Sequence, residues 1–233
     1  MLKTRLPLLA ILVTFALLLS ACSGGSDKGA SSADSPQISG QIVDGLRVLT
    51  INPTEQDQHF TIYRGDYVRA QLTTGESFTI KIAALDVSKQ FPAPEDEKPY
   101  FKVPNAGTFR FSVGEARGVI EALELKAASY REVTAVQGAE FIASSDPLIL
   151  DVRTPSEYAS GHLENSVLIP VQEFQKRVGE LAEYKDAPVF LYCRTGNRST
   201  VAAKILVDKG FTQVVNLRRG ISDWRKAGLP VVK

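Results

Sequence analysis

The chain has 233 residues, of which 44% are hydrophobic and 23% are charged, and its formal net charge at pH 7 is +1. A near-neutral chain without a long block of like charges gives no sign of a polyanion-binding surface, so we expect no nucleic-acid partner. The sequence has two cysteines, Cys22 and Cys193, whose neighbours differ completely.

The N-terminus has the pattern of a secretory signal. Lys3 and Arg5 precede an apolar run over residues 6–19, and small residues lead from that run to Cys22. The run is shorter than the ~20 residues that span a bilayer, so we expect the segment to be cleaved. Its Leu-Ser-Ala-Cys ending resembles the bacterial lipoprotein signal, which implies that residues 1–22 end at a lipidated Cys22. An ordinary secretory signal and an uncleaved anchor are the alternatives.

The residues after Cys22 predict where the protein resides. Ser23, rather than Asp, follows the cysteine, and in such lipoproteins this favours the outer membrane. The resemblance thus implies a bacterial cell-envelope protein, anchored to the membrane by lipid and facing the periplasm or the surface.

Residues 23–36 are rich in Ser, Gly, Ala and Asp, which predicts a flexible tether. The remaining residues are too many for one small domain, so we expect two.

Residues 37–126 contain short runs of β-branched and aromatic residues, separated by turn signals such as Asn-Pro and Gly-Asp. About seven such runs predict an antiparallel all-β sandwich. The layout resembles a cupredoxin-like domain, but the copper site does not carry over. A type 1 copper site needs two His, one Cys and usually a Met, whereas Ser112 and Val113 stand where the cysteine is expected. We expect His59 to lie at the surface, no metal or cofactor, and a spacer or docking role.

Residues 129–233 alternate between strand and helix patterns, which predicts an α/β domain with a parallel sheet. Functional residues in such folds lie at the carboxyl ends of the strands, and Cys193 follows one of these strands directly. The predicted elements are a helix over 133–143, strands at 148–152 and 166–170, a helix over 171–184, a strand at 188–192, a helix over 199–209, a strand at 213–217 and a short helix over 221–228.

Once Cys22 is used as the anchor, Cys193 is the one free thiol. Such a thiol forms an intermolecular disulfide, reacts, or is a small buried hydrophobe. Here it opens a loop that leads into a helix, where backbone N–H groups and the helix dipole form a cradle for anions. This field, together with nearby arginines, favours the thiolate over the thiol. In the loop, Gly196 permits a tight approach of the backbone, and Ser199 is expected to be the helix N-cap.

Three segments resemble the motifs of the rhodanese (thiosulfate sulfurtransferase) family, in the family's order. They are DVRTPSEYASGHLENSVLIP at residues 151–170, YCRTGNRS at 192–199 and NLRRGISDWRKAGLPV at 216–231. The resemblance implies a sulfurtransferase in which Cys193 is the nucleophile and carries sulfane sulfur as a persulfide. It also implies that the persulfide and the anionic donor are held by Arg194, Thr195, Gly196, Asn197 and Arg198, with Asp151, Arg153 and Ser199 supporting the loop.

The sequence departs from the family pattern at two places. Glu164, Asn165 and Ser166 replace the more usual Pro-Gly-Ala, and Arg219 stands where the family generally has the first of two glycines. We expect the Arg219 side chain to narrow the mouth of the site or to change its charge. Either effect bears on the identity of the substrate more than on the chemistry.

The spacing between Cys193 and Arg198 is C-x₄-R. Related phosphatases of the same fold have C-x₅-R, a wider loop that accommodates phosphoryl oxygens. The shorter loop therefore disfavours phosphatase and arsenate reductase activity.

Other residues have structural interpretations. We expect His162 to be a turn residue that hydrogen-bonds nearby backbone, and Trp224 to lie in the core of the domain. Arg218 and Arg219 either attract an anionic donor or face solvent.

The sequence predicts an envelope lipoprotein that transfers sulfane sulfur from thiosulfate or a polysulfide to a thiol or cyanide. Its expected partners are a small sulfur-containing anion, a thiol acceptor and the membrane. The alternative is a non-enzymatic subunit that docks to an envelope complex through the sandwich and relays sulfur or redox ligands without turnover.

Overall fold

A computed structural model describes residues 36–233. The predicted signal, the lipidation site Cys22 and all of the predicted tether except Pro36 lie outside the described residues. Within residues 36–233, no helix is both long enough and apolar enough to cross a membrane. The described chain has a β region (residues 37–126) and an α/β domain (residues 129–233). One cluster of buried apolar side chains lies in the β region and another in the α/β domain, and a third joins Leu125 of the β region to residues of the α/β domain.

The β region consists of two sheets. Its strands are β1 (Gln41–Val43), β2 (Leu46–Ile51), β3 (Gln58–Tyr63), β4 (Tyr67–Leu72), β5 (Phe78–Ile82), β6 (Val87–Phe91), β7 (Phe101–Lys102), β8 (Gly107–Val113) and β9 (Ala116–Leu123). One sheet has the order β1-β2-β4-β7, and the other has the order β3-β9-β8-β5-β6. Buried residues alternate with more exposed ones along β9, as expected for a strand that buries one face. The core of the region includes Leu49, Ile62, Phe109 and Phe111.

The prediction of purely antiparallel pairing is wrong. β2 pairs with β4 in parallel, and β3 pairs with β9 in parallel, so both sheets are mixed. The cause lies in the path of the chain: β3 belongs to the other sheet, so β4 returns beside β2 in the same direction. The short edge strands β1 and β6 were not predicted, because three residues are too few for a pattern and VSKQF is largely polar.

The α/β domain contains one parallel sheet of five strands with the order β10-β14-β13-β11-β12, which confirms the predicted class. Its elements are β10 (Tyr130–Val133), α1 (Ala135–Ser145), β11 (Leu148–Asp151), α2 (Pro155–Ala159), β12 (Val167–Leu168), α3 (Val171–Arg177), a 3₁₀ helix (Val178–Tyr184), β13 (Val189–Tyr192), α4 (Asn197–Asp208), β14 (Val214–Leu217) and α5 (Gly220–Lys226). The helix predicted over residues 171–184 therefore changes to 3₁₀ geometry halfway along.

Both faces of this sheet are buried at its three inner strands, which explains why β11, β13 and β14 are mostly apolar, whereas the edge strand β10 is polar and only partly buried. Along β13, Leu191 packs in the cluster that contains residues of α3 and α4, whereas Phe190 and Tyr192 pack in the cluster that contains residues of α5. Trp224 of α5 lies in the second cluster and is 5% exposed, which confirms its predicted place in the core. Because helices cover both faces, the loops that follow the strands lie at the ends of the sheet.

The β region packs against the α/β domain on the side of α3 and α4. The Lys176 ammonium lies 2.9 Å from a carboxylate oxygen of Asp44. A Cβ at Gly45 would lie 2.9 Å from the carbonyl oxygen of Val171, so the backbones are in close contact there. The turn between β3 and β4 makes a second contact, close to the start of α4.

Candidate active site

The candidate site lies at the carboxyl edge of the parallel sheet. Cys193 directly follows β13, and Asp151 is the last residue of the neighbouring strand β11. The backbone N–H of Val152 donates to the carbonyl oxygen of Tyr192 at 3.1 Å, which continues the ladder to the position before Cys193. The strand register thus fixes where the cysteine emerges from the sheet.

The Cys193 side chain is held inside its loop. The Gly196 N–H donates to the Cys193 Sγ at 3.1 Å, and the Ser199 hydroxyl oxygen lies 3.6 Å from the same sulfur. Cys193 is only 1% exposed. Gly196 has φ +97°, in the left-handed region that glycine enters without strain. The sulfur therefore has polar neighbours at the start of a 12-residue helix, whose dipole favours negative charge there.

The prediction that Ser199 is the N-cap of this helix is wrong. The loop closes tightly enough that α4 begins at Asn197, two residues before Ser199, and Gly196 takes the N-cap position. Ser199 lies in the first turn, where its hydroxyl donates to the Gly196 carbonyl oxygen at 2.9 Å. Thr200 donates to the same oxygen at 3.0 Å. Both hydroxyls therefore hold the carbonyl group of Gly196, the residue whose N–H points at the sulfur.

The start of α5 fixes the other side of the loop. The Ile221 N–H donates to the Cys193 carbonyl oxygen at 2.8 Å, and the Ser222 N–H donates to that of Arg194 at 3.1 Å. A Cβ at Gly220 would lie 2.2 Å from the Cys193 oxygen, so only glycine fits this position. Arg219 has φ +60°, which explains why a glycine is usual there, and its side chain is exposed beside the loop.

Arg198 is held by an acidic partner that the sequence reasoning missed. Its guanidinium donates to both carboxylate oxygens of Glu157, at 2.6 and 2.8 Å. This bidentate hydrogen bonding lowers the pKa of Glu157 to about 2. Glu157 also closes a capping box with Thr154 at the start of α2. Its place inside the first rhodanese-like segment was the available signal, but nothing in the sequence paired it with Arg198.

Asp151 and Arg153 form a buried ion pair behind the loop. The Arg153 guanidinium donates to Asp151 at 2.5 and 2.9 Å, and also to the carbonyl oxygen of Gly161 at 2.9 Å. The central carbon of the Arg153 guanidinium lies 5.5 Å from the centroid of the Tyr192 ring. The pair therefore reaches the loop through Tyr192, the residue before Cys193, rather than through the sulfur itself.

The remaining loop residues have different exposures. Arg194 and Thr195 are exposed, and Asn197 is half-buried. Arg194 is the cation of the loop that faces solvent, whereas Arg198 is paired. Arg218 is exposed as well.

The motif positions that depart from the family are ordinary turn residues. Glu164 and Asn165 are exposed, and Asn165 has φ +59°. The Ser166 hydroxyl donates to the carbonyl oxygen of Leu163 at 2.6 Å and lies 3.2 Å from the Tyr192 hydroxyl. The replacement of Pro-Gly-Ala therefore changes a turn that supports the Tyr192 side chain and leaves the residues of the loop itself unchanged.

The two histidines lie at a turn and at the protein surface. The Nδ1 atom of His162 lies 3.1 Å from the carbonyl oxygen of Tyr158, and the His162 ring stacks on the Tyr158 ring, which confirms a turn residue. His59 is exposed on β3, and its Nε2 lies 3.3 Å from Glu121. Among the side chains of residues 36–233, no cluster of three or more His, Cys, Asp or Glu residues could hold a metal ion.

The geometry agrees with the comparisons to known proteins. Residues 134–227 match the family model described as "Rhodanese-like domain". A protein named "Sulfurtransferase" from Allochromatium vinosum is 39% identical over 89 residues, which are 38% of this chain and 81% of that protein. The uncharacterized protein YibN of Escherichia coli is 30% identical over 102 residues, 43% of this chain and 71% of its own length.

A solved structure of a rhodanese-related protein from Thermoplasma volcanium has 34% sequence identity and a TM-score of 0.41, and the match covers 44% of this chain and 98% of that one. These relatives thus match less than half of this chain. Residues 134–227 match the family model, and through these residues the chain belongs to the rhodanese-like family.

Proposed function

We propose that Cys193 takes a sulfane sulfur atom from thiosulfate or a polysulfide, carries it as a persulfide and passes it to a thiol or to cyanide. The observation that carries this proposal is the setting of the Cys193 sulfur, with the Gly196 N–H 3.1 Å away at the start of α4. Such a setting stabilises a sulfur anion without a histidine base. The sequence similarity to a sulfurtransferase supports the same chemistry.

The reaction consists of two sulfur displacements. The Cys193 thiolate attacks the outer sulfur of thiosulfate, so that a Cys193 S–S bond forms, the S–S bond of thiosulfate breaks and sulfite leaves with the electron pair. An acceptor thiolate or cyanide then attacks the outer sulfur of the persulfide. This breaks the Cys193 S–S bond and regenerates the thiolate, with an organic persulfide or thiocyanate as the product. No cofactor takes part in either step.

The charges around the loop favour a small anionic donor. Arg194 is exposed at the loop and attracts the anion, whereas Arg198 is held by Glu157 and keeps the loop in shape. Exposed Arg219 is a further cation beside the loop, with its guanidinium 4.0 Å from a carboxylate oxygen of Asp223. We assign Thr195, Gly196 and Asn197 to binding of the donor and the persulfide through the backbone of the loop.

The size of the loop supports sulfur transfer over phosphoryl transfer. The Gly196 N–H already reaches the Cys193 sulfur at 3.1 Å. A Cβ would lie 2.2 Å from the Cys193 oxygen at Gly220 and 3.0 Å from the Arg219 nitrogen at Gly196, so the loop is closely packed on both sides. A C-x₄-R loop closed in this way suits one added sulfur atom, whereas a phosphoryl group presents three oxygens that each need a donor.

We further propose that the protein is a lipoprotein of the bacterial envelope. Cys22 is the lipidated N-terminus of the mature chain, and residues 23–36 are a tether that holds the β region above the outer membrane. The β region is a copper-free, cupredoxin-like sandwich in this proposal. Cells labelled with a fatty-acid probe should show labelled protein that is lost in Cys22→Ser, while an unlabelled wild-type protein would refute the lipid anchor.

The sulfur-transfer proposal is tested by turnover. The full-length protein in detergent is mixed with thiosulfate and cyanide, and thiocyanate is measured over time. We expect steady production by the wild type and none by Cys193→Ser, which preserves a hydrogen-bond acceptor at the same position. Equal production by both proteins, or no production with thiosulfate or polysulfide, would refute the proposal.

A further inference from the structure

The turn between β3 and β4 contacts the helix that follows the Cys193 loop. A Cβ at Gly65, in the middle of this turn, would lie 3.0 Å from the carbonyl oxygen of Asn197 and 3.3 Å from the Cβ of Thr200. Gly65 has φ +90°, so its conformation also favours glycine. The β region therefore packs on the first turn of α4.

Arg64, the residue before Gly65, joins the β region to the parallel sheet. Its guanidinium donates to the carboxylate of Glu124, just after β9, and to that of Glu132 on β10. The Arg64 side chain is 15% exposed and the Glu132 side chain 21%, so solvent screens this pair less than it screens a surface ion pair. The charge of Glu132 is thus compensated by a residue of the other region.

Glu132 belongs to a hydrogen-bond network centred on Asn216. The two residues are partners in the pairing of β10 with β14, and Asn216 is fully buried. Its amide nitrogen lies 3.1 Å from the Tyr130 hydroxyl, 3.3 Å from the Glu132 carboxylate and 3.3 Å from the Thr200 hydroxyl. The Tyr130 hydroxyl donates its own hydrogen to Glu132 at 2.9 Å, so it accepts from the amide.

These three acceptors fix the orientation of the Asn216 amide. Its two N–H groups are shared among them, and its oxygen accepts no hydrogen bond within residues 36–233. Leaving a buried oxygen unpaired is costly, so the amide is oriented by its donor side. Two N–H groups cannot fully satisfy three acceptors, and the share that Thr200 receives depends on how strongly Glu132 competes.

Thr200 carries this network to the sulfur site. Because its oxygen accepts from Asn216, its own hydrogen is directed to the Gly196 carbonyl oxygen at 3.0 Å. Gly196, held at its carbonyl group, donates through its N–H to the Cys193 sulfur at 3.1 Å. Hydrogen bonds in such a series strengthen one another in a buried setting. A continuous series of contacts therefore runs from Arg64 to the residue that donates to the sulfur.

We propose that Arg64 is a positioning residue for the sulfur site. It compensates the charge of Glu132, so that the Asn216 amide remains shared with Thr200. Without the Arg64 guanidinium, Glu132 becomes a stronger acceptor and draws the amide away from Thr200, which then holds Gly196 less firmly. This inference rests on the proposed function and deepens it, since it makes the β region a determinant of the reactivity of Cys193.

The experiment measures the reactivity of the Cys193 thiolate in the full-length protein. Wild type, Arg64→Met, Thr200→Val and the double variant are treated with iodoacetamide at pH 7, and alkylation of the Cys193 peptide is followed by mass spectrometry. Arg64→Met keeps a flexible stem and Thr200→Val keeps the shape of the side chain, so each removes mainly hydrogen-bonding groups. Glu124→Gln is the matched control, because it alters the other ion pair of Arg64 and leaves the network to Thr200 intact.

We expect Thr200→Val to react about fivefold more slowly than the wild type, the effect of losing one hydrogen bond, and Arg64→Met about threefold more slowly. The double variant should react no more slowly than Thr200→Val, because Arg64 acts through Thr200. Glu124→Gln should react like the wild type. A purely structural role for Arg64 predicts the opposite sign, since loosening of the fold exposes the buried thiol and speeds its alkylation.

If Arg64→Met reacts at the wild-type rate or faster, or if the double variant shows the product of the two single effects, the positioning role is refuted. Sulfur loading from thiosulfate, measured on the same proteins, separates this inference from the proposed function. Slower alkylation of Arg64→Met in a protein whose wild type never loads sulfur would support the network and refute sulfur transfer. A wild-type Cys193 that iodoacetamide does not modify would refute both.

Discussion

The ion pair between Glu157 and Arg198 gives a pH-dependent contribution to stability that a single substitution can isolate. Glu157→Gln removes the charge but keeps an oxygen that accepts the Thr154 N–H, now 3.1 Å from the carboxylate. The folded pKa of Glu157 is lowered from 4.5 to about 2, first by the hydrogen bond from Arg198. A difference of this size corresponds to at most roughly 3 kcal/mol. Because the carboxylate is 26% exposed, solvent screening reduces our expectation to about 2 kcal/mol.

The sign of the effect follows from the lowered pKa. The contribution is complete above pH 4.5, where the carboxylate would be ionised in the unfolded chain as well, and is lost as the pH falls towards 2. We therefore expect Glu157→Gln to lower the free energy of unfolding by about 2 kcal/mol at pH 7 and by less than about 1 kcal/mol at pH 3.

The assay is urea unfolding at both pH values. Glu173→Gln serves as the control, because Glu173 pairs with Arg177 on an exposed helix face, where ion pairs contribute little. If Glu157→Gln is as stable as the wild type at pH 7, or if the difference is the same at pH 3, the carboxylate does not hold Arg198 in the way the geometry indicates.

Two glycines give further predictions. Gly220→Ala should lower the free energy of unfolding by about 2 kcal/mol or more and abolish sulfur loading, since the new Cβ would lie 2.2 Å from the Cys193 oxygen. Gly179→Ala, with no heavy atom within 4 Å of its new Cβ, is the control. Gly65→Ala should cost about 1 to 3 kcal/mol, because its φ is +90° and its Cβ would press on Asn197. Its control is Gly75→Ala, which lies in an open turn and should unfold like the wild type. If Gly220→Ala is as stable as Gly179→Ala, or Gly65→Ala as stable as Gly75→Ala, the close packing at that glycine is refuted.

The α/β domain was largely predictable because its signals are local. Buried parallel strands are continuous apolar runs, and the strand that ends before Cys193 was predicted within one residue of its start. The helix that follows was predicted to begin at Ser199, two residues after its true start, since the sequence does not show that Gly196 adopts a left-handed conformation.

Features that depend on contacts between distant segments were not predictable. The parallel pairing of β2 with β4 depends on β3 crossing to the other sheet, and runs of strand residues do not show which sheet a strand joins. The Glu157 partner of Arg198 and the contact of Gly65 with Asn197 have the same origin. Each pairs residues that lie far apart in sequence and meet only in the folded chain.

The central claim is that Cys193 carries sulfur, and the most direct measurement is the mass of the Cys193 peptide after exposure of the full-length protein to thiosulfate. We expect the mass of the Cys193 peptide to increase by that of one sulfur atom, and cyanide to reverse the increase with release of thiocyanate. We expect no such increase in Cys193→Ser. If Cys193 stays unmodified after treatment with both thiosulfate and polysulfide, in a protein shown to be folded and reduced, Cys193 does not carry sulfur.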